Sequence, residues 1–71
     1  MTRAPVTSSN IRSIGYDAEQ RMLEVEFQNN AVYRYQGVTP EEHAELMSAE
    51  SVGAHFAAGI RKSYKGVRVE E

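Results

Sequence analysis

The segment from Met22 to Gln36 constrains this chain more than any other. Leu23, Val25 and Phe27 alternate with Glu24, Glu26 and Gln28, and Tyr33 and Tyr35 alternate with Val32, Arg34 and Gln36. A period of two with one apolar face specifies strands of a half-covered antiparallel sheet. Asn29-Asn30 separates the two runs, and asparagine tolerates the positive φ that tight hairpins need. Two registers compete. A two-residue Asn29-Asn30 loop pairs Phe27 with Val32 and sets Tyr33 opposite Glu26. A three-residue loop, Gln28-Asn29-Asn30 with Asn30 left-handed, pairs Phe27 with Ala31, Val25 with Tyr33 and Leu23 with Tyr35. The second register gathers Leu23, Val25, Phe27, Tyr33 and Tyr35 on one face and sets Glu24 opposite Arg34, a favourable charge pair. A one-residue slip turns every side chain over, so the register with the cleaner apolar face is expected.

The remaining elements follow from local signals. Residues 1–9 are small, polar and proline-containing, and read as a flexible tail. Ile11 to Tyr16 suits a strand, with Gly15 marking a weakness or a bulge. Thr39-Pro40-Glu41-Glu42 opens a helix: Thr39 caps it, Pro40 takes the first helical position, and Glu42 completes a capping box. That helix is expected to reach Ser48 or Ala49, with His43, Ala44, Leu46 and Met47 turned inward. Ser51 caps a second helix whose stripe is Val52, Phe56, Gly59, Ile60 and Tyr64, and Lys65-Gly66 stops it. The Ser51-Val52-Gly53 run thus reads as a cap rather than as an active-site serine. Residues 67–71 form a C-terminal tail or a short edge strand. The expected architecture is α+β: a three-stranded antiparallel meander followed by two short helices packed on one sheet face, over residues 10–66.

A chain of 71 residues has room for one core. It buries about 60% of its unfolded surface, and packing supplies roughly 3–5 kcal/mol. There is no cysteine, which excludes disulfides and thiolate metal sites and favours a reducing compartment, the cytoplasm. The sequence before Ser9 lacks the apolar run of a signal peptide, and no segment is long enough to span a bilayer. A net charge of −2 gives no general attraction to polyanions, but the charge is polarised. Glu41, Glu42, Glu45 and Glu50 make the first helix acidic, whereas Arg61, Lys62, Lys65 and Arg68 follow one another with no acid between them.

No thiol, nucleophile elbow or phosphate-cradling glycine loop points to catalysis. His43 and His55, with Glu42 or Glu45, have metal-ligand chemistry, but they read as helix-surface or boundary residues, and neither metal nor cofactor is expected. Glu24 and Glu26 share a strand face and read as solvated and paired with Arg34. Tyr33-Arg34-Tyr35 looks like the aromatic and basic strands that stack single-stranded bases. The favoured register instead makes both rings core aromatics with hydroxyls at the rim. The basic stretch is the better polyanion contact: Arg61, Lys62, Lys65 and Arg68, with Tyr64 interleaved and Arg34 assisting. Complementarity of cations to a helix C-terminus is the stronger reading for Arg61 and Lys62, about two to one, but it reaches Arg68 poorly.

Taken in order, Leu23-Glu24-Val25-Glu26-Phe27, Tyr33-Arg34-Tyr35, Gly37-Val38-Thr39-Pro40, Ser51-Val52-Gly53 and Ile60-Arg61-Lys62-Ser63-Tyr64 resemble the KTSC domain. That family is named for its place at the C-terminus of some lysyl-tRNA synthetases. Asn30 stands where a glycine is expected, and Ala57-Ala58 is smaller than expected after Phe56. The resemblance implies a module that also exists as a free-standing small bacterial or phage protein, without catalytic residues, and associates the family with RNA. Two functions are therefore expected to compete. One is a non-enzymatic nucleic-acid-binding module. The other is a protein-interaction module, monomeric or weakly homodimeric, using the uncovered sheet face around Met22, Val32 and Arg34 or a strand edge.

Overall fold

The computed structural model describes residues 2–69; Met1, Glu70 and Glu71, the ends of the two expected tails, lie outside the described residues. Five antiparallel strands lie in chain order: β1 (Arg3–Pro5), β2 (Ile11–Asp17), β3 (Met22–Phe27), β4 (Val32–Gln36) and β5 (Gly66–Val69). Between β4 and β5 run α1 (Pro40–Ser48), α2 (Val52–Ala58) and α3 (Ile60–Ser63).

The β3–β4 hairpin adopts the bulged register. Leu23 faces Tyr35, Val25 faces Tyr33 and Glu24 faces Arg34. The Phe27 N–H donates to the Ala31 carbonyl at 2.9 Å, and Asn30 is left-handed at φ 70°. The register carries across the sheet in rows. Ile14, Val25, Tyr33 and Arg68 form one row on the helix side, and Tyr16, Leu23, Tyr35 and Gly66 the next. On the opposite face the central row is Arg3, Gly15, Glu24, Arg34 and Val67.

The expected three strands are five. β1 falls in the segment read as a tail, and β5 is a paired edge strand. Three residues leave no readable periodicity in β1; what anchors it is tertiary. The Val6 N–H donates to the Arg12 carbonyl at 3.1 Å, Val6 packs on the core, and Arg3 reaches over β2 to Glu24. Gly15 is not the bulge, because the register shifts between Ile11 and Ser13. Gly15 instead lies between Arg3 and Glu24 in their row.

Helix α1 opens with the expected capping box. Thr39 Oγ1 accepts from the Glu42 N–H at 3.2 Å, and Glu42 Oε1 accepts from the Thr39 N–H at 3.4 Å. Leu46 is its buried residue and Met47 packs at the margin, but Ala44 is exposed, one position off the inward face. The second helix is interrupted at Gly59, whose φ of −120° and ψ of −79° leave the helical region. Its stripe still packs as one surface. Val52, Phe56 and Ile60 join Ile11, Ile14, Leu23, Val25, Tyr35, Val38 and Leu46 in the core. No helix among the described residues is long and apolar enough to cross a membrane.

Candidate nucleic-acid interface

The sheet register decides where the two tyrosines go. Both lie on the helix side: Tyr35 is only 5% exposed, and Tyr33 is half-buried at the edge of the core. Tyr35 packs edge-on to Phe56 at 5.2 Å and covers Gly66 so closely that a Cβ there would meet its ring at 2.6 Å. Glycine at 66 thus lets β5 pass beneath the ring. Burial raises the Tyr35 hydroxyl pKa, and the nearby Arg61 guanidinium partly offsets this.

A groove of about 630 Å³ opens where the hairpin loop faces α2. Phe27, Tyr33, Tyr35 and Phe56 line its aromatic part, Asn10, Gln28 and Asn29 its rim, and Arg61 and Arg68 its cationic side. Pairing of β4 with β5 sets Arg68 beside Tyr33, while α3 brings Arg61 over from the helices. Among the described residues neither arginine forms an ion pair and no carboxylate lines the groove. Cations clustered without acid in a partly desolvated cleft concentrate positive potential there.

The other expected site residues separate. Lys62 is exposed on α3. Tyr64 turns away, its ring over Gly37 and its hydroxyl donating to Glu42 Oε1. Lys65 and Arg34 line a second hollow of about 480 Å³ on the opposite side, with Met22, Gln36, Val67 and Val69; Arg68 borders both. Arg34 is committed there: its Nε donates to Glu24 Oε1 at 2.8 Å, and Arg3 Nη1 donates to Oε2 at 2.8 Å.

Glu24 corrects the expectation of a solvated carboxylate. It is 2% exposed, although no helix covers its face, because the neighbouring strands and the two arginines enclose it. Glu26 accepts from the Ser13 hydroxyl at 2.8 Å. His43 stacks on Tyr16 with ring centroids 4.4 Å apart, and burial holds its pKa below the usual value. Among the described residues no three metal-ligating side chains gather. The aromatic floor and the rim amides of the groove escape a reading by local pattern. Asn10 and Gln28, 18 residues apart, are joined by the backbone bond from the Gln28 N–H to the Asn10 carbonyl.

These features define a small α+β domain, a five-stranded antiparallel meander with its helices on one face. Residues 7–64 match the KTSC domain, and the chain belongs to that family. It is similar to an uncharacterized protein of Stutzerimonas stutzeri (strain A1501), 52% identical over 79% of each chain. A protein of Tsukamurella paurometabola is 43% identical over 82% of this chain and 85% of its own. The crystal structure of a KTSC domain protein from Yersinia pestis superposes with a TM-score of 0.93 at 40% identity, covering 97% of both chains.

Proposed function

We propose that this KTSC protein is a non-enzymatic, cytoplasmic nucleic-acid-binding module that grips the phosphate backbone with Arg61 and Arg68. The observation carrying this reading is the groove itself: two arginines beside an aromatic floor, with neither an ion-pair partner nor a lining carboxylate among the described residues. Arginine suits phosphate because its planar fork donates two parallel hydrogen bonds. Lys62 and Lys65, both exposed, extend the cationic margin beyond the groove. The non-enzymatic part rests on the titratable groups with structural duties: Glu24 between arginines, Glu42 in the helix cap, His43 against Tyr16.

Anisotropy titration of a labelled mixed-sequence RNA at low salt tests the proposal. Wild-type binding should weaken steeply with salt. Arg61→Glu with Arg68→Glu should cut affinity at least about tenfold and flatten the salt slope by about two. An absence of any wild-type shift at low salt would end the proposal.

A second reading, homodimerisation, is favoured by one observation. Val67 is 59% exposed on the edge strand β5, next to a hollow it shares with Met22 and Val69. An apolar strand-edge contact of this kind is nearly indifferent to salt and to both charge reversals, so the same titrations separate the readings.

A further inference from the structure

We infer that the groove takes single-stranded nucleic acid in preference to duplex, with one unstacked base against Tyr33 and the flanking phosphates on Arg61 and Arg68. The inference rests on the nucleic-acid reading and narrows it. The volume of about 630 Å³ is that of a small-ligand cleft, whose usual range is about 300–1,000 Å³, and not that of a trough for a double helix. Tyr33 lies on the helix side of the sheet, with the hairpin loop on one side of the groove and α2 on the other. A paired base stays stacked inside its helix and does not reach such a recess, whereas a base of a single strand can be splayed into it.

The ring is held for this role. Phe27 packs against Tyr33 in a T-shaped pair, ring centroids 5.9 Å apart and planes at 80°, a contact that favours one orientation of the phenol. Base-on-aromatic stacking tolerates any sequence, because every base has a π face. Arg68 is Tyr33's neighbour in the β4–β5 register, so a phosphate it holds lies one residue's reach from the stacked base. At the rim, the Asn29 Oδ1 accepts from the Ala31 N–H, which leaves its amide N–H₂ to donate to a base edge. The groove therefore supplies stacking, charge and a hydrogen-bond donor to one nucleotide at a time.

The test compares a fluorescein-labelled 12-nucleotide RNA as a single strand and annealed to its complement, at low salt. Wild-type protein should bind the single strand at least about tenfold more tightly. Tyr33→Leu should lower single-strand affinity by about 5- to 100-fold while leaving the salt slope and the weak duplex binding unchanged. Tyr33→Phe should bind like wild type. Equal affinity for the two forms, or an unaltered affinity in a folded Tyr33→Leu, overturns the inference and leaves the arginine grip standing. Failure to bind either form overturns both. The wild-type comparison decides the matter even where the leucine variant does not fold.

Discussion

Burial pushes the Glu24 carboxyl up, and hydrogen bonds from Arg34 and Arg3 more than offset it, holding the pKa below the usual 4.5. A buried carboxylate is stable only when both oxygens are satisfied, and here each has its own guanidinium. Replacing the charge while keeping the shape isolates that contribution. Glu24→Gln is expected to destabilise the fold by roughly 1–3 kcal/mol in urea unfolding, the cost of weakened charge-assisted bonds at a buried site. The low end of that range applies if water screens the exposed Arg34 arm effectively. The same chemistry explains why Arg34 makes a poor nucleic-acid contact. Its guanidinium already holds the carboxylate from the side facing away from the groove.

Secondary elements were legible where their signals are local. The alternation in β3 and β4 and the charge match of Glu24 with Arg34 specify one register, and Thr39 with Glu42 specifies the start of α1. Asn30 carries the turn at φ 70°, a conformation that β-branched residues strongly resist. Asn30→Val should therefore cost about 1–3 kcal/mol by thermal unfolding, including loss of the bond from Arg12 to its side-chain oxygen. Illegible were the features that depend on distant partners. β1 is too short for a pattern, and the strap from Arg3 to Glu24 joins residues 21 positions apart. Arg61 and Arg68 were both named from the basic stretch. Their convergence on Tyr33 depends on the pairing of β5 with β4 across the whole helical segment, which no window of sequence displays.

The folded molecule as a whole responds to acid in one direction. Glu24 and Glu42 both have lowered pKa values; for Glu42 the Tyr64 hydroxyl is the main cause, against a smaller opposing effect of burial. Each adds stability that is fully present above 4.5 and is lost as pH falls through the folded value. His43, lowered by burial, acts with the same sign from a higher start, because the unfolded chain takes up its proton first below 6.5. Urea midpoints followed by tyrosine fluorescence should thus be level from 6.5 up to the onset of tyrosine ionisation, fall slightly below 6.5, and fall steeply below 4.5. His43→Phe should remove the first decline and leave the second.

Protons do not loosen every part of the sheet equally. The first strand is fastened to its neighbours by three residues of ladder and by an electrostatic strap across Gly15, whereas β3 and β4 are clamped by hydrocarbon. Acid cuts the strap and spares the hydrocarbon. Deuterium uptake should accordingly reach the Val6 amide at a milder acidity than the Phe27 amide, with the sheet peeling from one margin before it melts.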